Sequence, residues 1–261
     1  MMNVLRTMSS VLAAEGFRSN GAGVYRRRKT VARLGDGWLG IETAAPVGTD
    51  PTDADSLVPG PFKPLSSASG QPGRWVCELP LVAFEGFEED ALEEALRAAL
   101  LWPLALIESR HWEWRQPRRE DLDEWFPPAA RSVRAGTVAK VIELTLDADR
   151  LALSCGLVRC VTALPPAHAE WLSRAALGWQ QQWRMVRLAR HADAGLAAEI
   201  DLTGLPASCA EVLIRAAGDA LRGALPALLP AVDVLSDRNA GLLSLTAVNA
   251  GVNEAQNTER R

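Results

Sequence analysis

Fifteen residues that occur twice in this chain place the strongest constraint on its fold. The stretch TALPPAHAEWLSRAA at residues 162–176 returns 41 residues later as TGLPASCAEVLIRAA at residues 203–217. Nine aligned positions are identical, whereas an alanine-rich composition alone would give roughly one or two matches. Because proline lacks a main-chain N–H and disfavours helix at the preceding residue, the shared Leu-Pro pair predicts the end of a strand followed by a helix. The repeat therefore indicates a duplicated unit of structure.

The second half of the chain is predicted to contain that unit, two strands and a helix, in duplicate. Residues 147–149 and 192–195 carry the Asp, Ala and Gly residues typical of hairpin turns. Beyond the second unit, Pro226 and Pro230 predict a break or kink in the last helix, because each removes a helical hydrogen bond. Strands are predicted at residues 138–146, 151–163, 184–190 and 196–203, and helices at residues 168–183 and from residue 208.

The first half predicts a helix, a set of strands and a second helix. One apolar stripe at the helical period predicts a helix over residues 2–15, and Gly16 ends it. The sequence Gly-Asp-Gly at residues 35–37 predicts a tight hairpin, because glycine adopts the positive φ angles that such turns need. A further strand is predicted at residues 74–84, followed by a helix with an acidic first turn over residues 88–106.

Residues 44–73 are the longest stretch with few apolar side chains to bury in a core. The segment is rich in proline, glycine, serine and aspartate. Loops of this length are uncommon inside a compact domain and are usually either functional or mobile. We therefore expect either a lid or docking arm, or a flexible insertion, at this position.

These patterns together predict an α+β protein of two related modules of antiparallel strands, with amphipathic helices packed on the sheets. The order is helix–strands–helix in the first module and β-β-α twice in the second. The predicted bounds are residues 1–110 for the N-terminal module, 111–134 for a connector, 135–236 for the C-terminal module and 237–261 for a disordered tail. The alternative is that the tryptophans of the connector join one continuous core.

The charge and hydropathy of the sequence argue against two classes of partner, nucleic acids and membranes. The 261 residues carry a net charge of −4, and the one basic run covers only residues 26–29. Nucleic acid is not expected as the main ligand, because phosphate binding requires clustered lysine and arginine. Charged residues interrupt every apolar run before it reaches the roughly 18 residues that a membrane helix needs. With no recognisable export signal in the first residues, we expect a cytoplasmic protein that does not bind membranes.

No familiar catalytic, phosphate-binding or metal-binding motif occurs in the sequence. His111, His168 and His191 have no spacing that would put two of them on one face of an element. A serine-nucleophile motif and a glycine-rich phosphate loop are both missing. The carboxylates of residues 88–94 are explained by their position at the start of a helix. We therefore expect no enzyme activity, no catalytic residue, no cofactor and no metal ligand.

The four cysteines are predicted to be buried and reduced. Cys77, Cys155, Cys160 and Cys209 are scattered among apolar neighbours. They lack the close CxxC pairs of zinc sites and redox motifs.

Tryptophan supplies the candidate partner-binding residues, which are Trp38, Trp75, Trp112 and Trp114. The last two alternate with charged residues, as on a half-exposed strand. The competing interpretation is that the nine tryptophans are large packing residues in a chain with one tyrosine.

In its order of elements the chain resembles the type III secretion chaperone-like fold of the Tir chaperones and related bacterial proteins. The Leu-Pro junctions at residues 164–165 and 205–206, and the amphipathic helices that follow them, carry the resemblance. It implies an acidic, usually dimeric protein that binds extended segments of a partner polypeptide on sheet and helix surfaces. Because this chain is about double the length of such proteins, a monomer with an internal pseudo-dimer is expected as an alternative to a homodimer. The resemblance transfers no catalytic residue.

Two hypotheses about function follow. The first is a non-enzymatic, chaperone-like cytoplasmic protein that binds another polypeptide, in passing or as a permanent subunit of an assembly. The second is a small-molecule-binding protein or enzyme with a tryptophan-lined cleft between the modules, beneath residues 44–73.

Overall fold

The computed structural model describes residues 1–35, 37–44, 60–65, 74–108, 117–135, 138–147, 150–158, 182–191 and 195–237. These residues form an α+β fold with antiparallel sheets, as predicted. The helices in the described residues are α1 Met2–Ala14, α2 Glu89–Ile107, α3 Arg119–Trp125 and α4 Ala207–Asp237. The strands there are β1 Arg18–Ser19, β2 Val24–Arg27, β3 Thr30–Gly35, β4 Trp38–Ala44, β5 Lys63–Leu65, β6 Arg74–Pro80, β7 Ser132–Ala135, β8 Val138–Val141, β9 Glu143–Asp147, β10 Arg150–Val158, β11 Arg187–His191 and β12 Gly195–Asp201.

The first helix forms where its apolar spacing predicts it. Val4, Met8, Val11 and Leu12 are the buried residues of α1, so one stripe of the helix faces the core. Gly16 follows the helix with a φ of +81°, a left-handed conformation that glycine adopts without steric cost.

The six-stranded sheet forms the body of the first half of the chain, in the order β1-β2-β3-β4-β6-β5. All its neighbouring strands are antiparallel. The predicted hairpin joins β3 to β4, and Gly37 in its turn has a φ of +73°. Side chains alternate between the two faces of a strand. Leu39 and Ile41 of β4 are accordingly buried against the core, while the residues between them point to the other face.

Part of the predicted loop at residues 44–73 is built into this sheet. β5 pairs antiparallel with β6 and forms the edge of the sheet, and Phe62 and Lys63 are both buried. The interpretation of the whole segment as a loop with little to bury was therefore wrong for these residues. The remaining residues of the segment, 45–59 and 66–73, lie outside the described part of the chain.

The strand predicted at residues 74–84 is shorter than expected. β6 ends at Pro80, and Leu81–Phe84 form a 3-10 turn whose Leu81 and Phe84 are buried. Proline has no N–H to donate to a sheet, so the strand ends where its hydrogen bonding would fail. The helix predicted next is confirmed as α2.

The four-stranded sheet β11-β12-β10-β9 belongs to the second half of the chain. Its two hairpins, β9–β10 and β11–β12, were both predicted. The strand predicted over residues 138–146 is instead two strands, because buried Ile142 separates β8 from β9. β8 pairs with β7 in a separate two-stranded sheet.

The last helix does not break at either proline. α4 continues through Pro226 and Pro230 to Asp237. Pro226 lies on the exposed face of the helix, between buried Leu225 and Leu228. On that face water can bond to the carbonyl that loses its N–H partner, while leucine burial continues on the other face.

Buried residues from both halves of the chain belong to one hydrophobic cluster. The indole N–H of Trp102, in α2, donates to the carbonyl of Thr203 at 2.9 Å. Phe126, at the end of α3, packs against Gly218 of α4. The connector between the predicted modules therefore contributes to the common core, while the domain bounds themselves stay a prediction.

Several predicted elements lie outside the described residues. They include the first copy of the repeat at residues 162–176, all but the last two residues of the helix over 168–183, and the tail beyond residue 237. Those last two residues, Gln182 and Trp183, are not helical. The duplicated β-β-α arrangement therefore stays a prediction.

Candidate functional site

The outer face of the six-stranded sheet carries the candidate site. On β4, Leu39 and Ile41 point to the core, so Trp38, Gly40 and Glu42 lie on the opposite face of the strand, where Trp38 is partly buried. Cross-strand pairing places Gly40 between Arg33 of β3 and Glu78 of β6, and Glu42 beside Val76; Val76 in turn pairs with Lys63 of β5. These outward residues line a pocket of about 620 Å³, which we call the outer-face pocket.

Glycine in the middle of a strand leaves space in the outer-face pocket. Among the described residues, the atom nearest to a Cβ atom built on Gly40 would be the carbonyl oxygen of Arg33, at 4.0 Å. A Cβ atom on Gly35 would meet no described atom within 4 Å. Glycine inside a strand weakens it and often marks a place where another group approaches the backbone. The pocket is therefore open because Gly35 of β3 and Gly40 of β4 have no side chains that would occupy it.

A buried ion pair forms one side of the pocket. The ammonium of Lys63 lies 2.5 Å from Oε2 of Glu78, and the side chain of Lys63 is only 3% exposed. Burial lowers the pKa of Lys63 below its ordinary value, and the facing carboxylate of Glu78 only partly offsets this. The ion pair therefore has a desolvation cost that its hydrogen bonds must offset.

The segment 182–186 lies against this ion pair and brings the second half of the chain to the sheet. Lys63 Nζ donates to the carbonyl of Trp183 at 2.7 Å, and the main-chain N–H of Met185 donates to Glu78 Oε2 at 3.1 Å. Met185 has a φ of +64°, which is uncommon for a residue with a side chain. The contacts with Lys63 and Glu78 therefore hold a strained turn against the outer face.

Arg184, in the same turn, lies over the ring of Trp38. Its guanidinium carbon lies 5.0 Å from the centre of the Trp38 ring, a distance at which a cation is attracted to the face of an indole. Arg184 is exposed, and within the described residues it makes no ion pair. Both side chains line the outer-face pocket.

The remaining carboxylate of the pocket is held by two arginines. Arg33 Nε lies 2.5 Å from Glu42 Oε1, and Arg74 Nη1 lies 3.4 Å from Glu42 Oε2. Arg33 and Arg74 are about half exposed, whereas Glu42 is only 13% exposed. Glu42 therefore fixes Arg33 at the rim of the pocket.

The second half of the chain has its own buried ion cluster, centred on Glu199. Glu199 is 1% exposed and accepts hydrogen bonds from Arg187 Nε at 2.7 Å and from Arg150 Nη2 at 3.1 Å. Arg187 also donates to the carbonyl of Gly60 at 3.2 Å. This cluster links β11 to the residues that precede β5, and so it supports the same junction between the two halves.

The predicted partner-binding tryptophans do not share one environment. Trp38 lines the outer-face pocket and is partly exposed. Trp75 is 8% exposed and belongs to the core cluster, so it offers little surface to a partner. Trp112 and Trp114 lie outside the described residues.

Sequence reasoning missed the polar residues of the pocket. Lys63, Glu78 and Arg184 come from three distant stretches, and no spacing in the sequence relates them. The alternation of Trp38, Gly40 and Glu42 with buried residues was the available signal, because it identifies one outward face with a gap at its centre.

Three of the four cysteines are described, and the prediction of buried, reduced thiols is confirmed for Cys77, Cys155 and Cys209. Burial raises the pKa of all three, to about 11 for Cys155 and about 12 for Cys209. Cys160 lies outside the described part of the chain, as do His111 and His168, while His191 is the last residue of β11.

The described residues show neither a metal-binding cluster nor a membrane-spanning helix. They contain no group of three or more His, Cys, Asp or Glu side chains arranged to hold a metal ion. None of their helices is long and apolar enough to cross a membrane.

Comparison of this chain with protein-family models, with curated proteins and with solved structures finds no match.

Proposed function

We propose that this chain is a non-enzymatic binding protein that holds an extended segment of a partner polypeptide on the outer face of its six-stranded sheet. One side chain of that segment enters the outer-face pocket. The protein acts in the cytoplasm in a chaperone-like manner, as the resemblance to the type III secretion chaperone-like fold implies. The observation that carries the proposal is a pocket of about 620 Å³ on a sheet face, with Gly40 at a position where a side chain would project into it.

The dimensions of an extended peptide suit this face. Successive side chains of a strand point to opposite sides, so every second residue of a bound segment faces the sheet at a spacing of roughly 7 Å. One such residue fits the pocket, and its neighbours lie over the adjoining strands. Trp38 supports the proposal, because amphipathic aromatic residues contribute strongly to binding energy at interfaces.

We also propose that the protein consists of two related α+β modules, as the repeat at residues 162–176 and 203–217 indicates. In this proposal the turn at residues 182–186, from the second module, closes one side of a binding face on the first module. A monomer with an internal pseudo-dimer would present one such face, and a homodimer would present two.

A small-molecule ligand is the second candidate. A volume of about 620 Å³ lies within the range of roughly 300–1,000 Å³ for small-molecule pockets. The pocket is also lined by residues from both halves of the chain and by Lys63 from the segment 44–73. The small-molecule hypothesis expects a tryptophan-lined cleft between the modules beneath residues 44–73, and Trp38 in the lining of the pocket supports it.

A matched pair of glycine variants tests the proposal. Gly40→Val places a branched side chain in the outer-face pocket, whereas Gly156→Val adds the same side chain to an exposed site of β10 where no described atom lies within 4 Å of the new Cβ. Each variant and the wild type are used as bait in native lysate, after circular dichroism confirms equal thermal stability.

A partner protein captured at fixed ratio by the wild type and by Gly156→Val, and lost with Gly40→Val, supports the proposal. Capture that is equal for all three baits, or no stoichiometric partner, contradicts it. A metabolite that raises the melting temperature of the wild type and Gly156→Val but not of Gly40→Val would instead establish the second candidate.

A further inference from the structure

We infer that the outer-face pocket accepts a carboxylate group, supplied by an acidic side chain of the bound segment. This inference rests on the proposed function, and it names the chemistry that the pocket selects. It follows from the balance of charge in the pocket, from the donors that remain free and from the position of Arg184.

The pocket contains more positive than negative charge. Its charged lining residues in the described chain are the cations Arg33, Lys63 and Arg184 and the carboxylates Glu42 and Glu78. Lys63 is paired with Glu78, and Arg33 with Glu42. Arg184 is left as the cation without a carboxylate among the described residues, in a chain whose net charge is −4. The pocket therefore favours one added negative charge.

Hydrogen-bond donors are available at the mouth of the pocket. In the described structure Arg33 uses only its Nε, in the contact with Glu42, so its two terminal nitrogens have no protein acceptor there. Arg184 is exposed, and its guanidinium is held in place over the Trp38 ring. A guanidinium presents its N–H groups as a planar fork that matches the two oxygens of a carboxylate. The exposed side chain of Gln182 adds an amide donor at the same mouth.

A single carboxylate matches the charge of this arrangement. The described lining has three cations and two carboxylates, so one added charge of −1 balances it. The terminal nitrogens of Arg33 and the guanidinium of Arg184 supply donors for its two oxygens.

A displayed library of random octapeptides, with blocked ends, provides the test. The library is selected on wild-type protein and, in parallel, on Gly40→Val, Arg184→Gln, Arg33→Gln and Arg134→Gln. Arg134 is the matched control, because it is an exposed strand arginine that does not line the pocket. All the arginines changed are exposed, so we expect the three arginine variants to keep an unfolding midpoint in urea close to that of the wild type.

The expected result is enrichment of Asp or Glu at one position of the selected peptides. Arg184→Gln lowers the affinity for those peptides at least about tenfold, as does Gly40→Val, while Arg134→Gln leaves it unchanged. For a selected peptide in which the acidic residue is replaced by Gln or Asn, the wild type and Arg184→Gln bind equally. Arg33→Gln gives the same pattern with a smaller loss.

The other outcomes separate this inference from the proposed function. Selected peptides without an acidic preference that still require an unfilled pocket overturn the carboxylate inference and leave peptide binding intact. Acidic enrichment that survives both Arg184→Gln and Arg33→Gln overturns the inference as well. If no peptide is enriched on the wild type relative to Gly40→Val, both the carboxylate inference and the proposed function are overturned.

Calorimetric titration with butyrate, a single carboxylate on a short alkyl chain, distinguishes the source of the carboxylate. Competition of millimolar butyrate with the selected peptides, lost in Arg184→Gln, confirms the carboxylate chemistry. Butyrate that binds tightly where no peptide is enriched assigns the site to a small acid and overturns the acidic segment as its occupant.

Discussion

Lys63 and Glu78 form an ion pair on the outer face of the sheet with their charged atoms 2.5 Å apart, although Lys63 is almost fully buried. The same two side chains bond to the carbonyl of Trp183 and to the N–H of Met185. One ion pair thus joins the edge strand β5, its neighbour β6 and the turn that carries Arg184. Loss of this pair is expected to affect both stability and the shape of the pocket.

Removal of the carboxylate of that pair should be costly, and subsequent removal of the lysine should restore stability. Glu78→Gln leaves a buried ammonium without its counter-ion, so we expect the free energy of unfolding to fall by about 3 kcal/mol. Adding Lys63→Met removes the uncompensated charge, and the double variant should recover most of that loss. Urea denaturation of the wild type and the two variants measures both quantities. A double variant less stable than Glu78→Gln contradicts this description of the pair.

The lowered pKa of Lys63 predicts a rise in stability at alkaline pH. Its folded pKa lies below the ordinary value of 10.5, because burial disfavours the ammonium. Between the two pKa values the unfolded chain binds more protons than the folded one, so stability increases as pH rises towards 10.5. Relative to the Lys63→Met/Glu78→Gln protein, the wild type should become more stable over this range. An opposite trend in parallel urea titrations would show that the pKa of Lys63 is raised.

Two glycines of α4 should respond in opposite directions to substitution by alanine. A Cβ atom on Gly218 would lie 2.5 Å from the ring of Phe126, whereas one on Gly223 would meet no described atom within 4 Å. Gly223→Ala should add about 0.5–1 kcal/mol of stability through the better helix propensity of alanine. Gly218→Ala should lose about 1–3 kcal/mol by overpacking against Phe126.

Combining Gly218→Ala with Phe126→Leu tests the cause of that loss. If the clash is responsible, the cost of Gly218→Ala should be much smaller in the Phe126→Leu background. An equal cost in both backgrounds would mean that α3 does not pack on α4 as described. Thermal and urea unfolding of the four proteins decide between these results.

The buried thiols should resist alkylation in the folded protein. Cys77, Cys155 and Cys209 are fully buried, and their raised pKa values keep them in the unreactive thiol form at about pH 8. We expect iodoacetamide to label all three in urea and none of them in buffer, as measured peptide by peptide in a mass spectrometer. Rapid labelling of any of the three in the native protein would place it at the surface.

Local patterns in the sequence predicted most elements of the fold. The apolar stripe of α1 and the Gly-Asp-Gly turn between β3 and β4 each depend on neighbours in the chain, and both elements formed as expected. The pairing of β5 could not be predicted in this way. Its strand consists of Lys63, Pro64 and Leu65 in a segment rich in proline and serine, and it is stabilised by pairing with β6 and by the ion pair with Glu78.

The behaviour of the last helix also depends on tertiary structure. Pro226 lowers the helix propensity locally, and a sequence pattern therefore predicts an interruption. Burial of Leu225, Leu228 and Leu229 along the other face keeps the helix continuous. The outer-face pocket depends on residues that are even farther apart in the sequence, since Arg184 and Trp38 are separated by about 150 residues.

The affinity of the captured partner for the Gly40→Val protein is the most direct test of where binding occurs. We predict that calorimetric titration gives a dissociation constant at least about tenfold higher for Gly40→Val than for the wild type, with Gly156→Val unchanged. A dissociation constant for Gly40→Val equal to that of the wild type would show that the partner binds elsewhere than at the outer-face pocket.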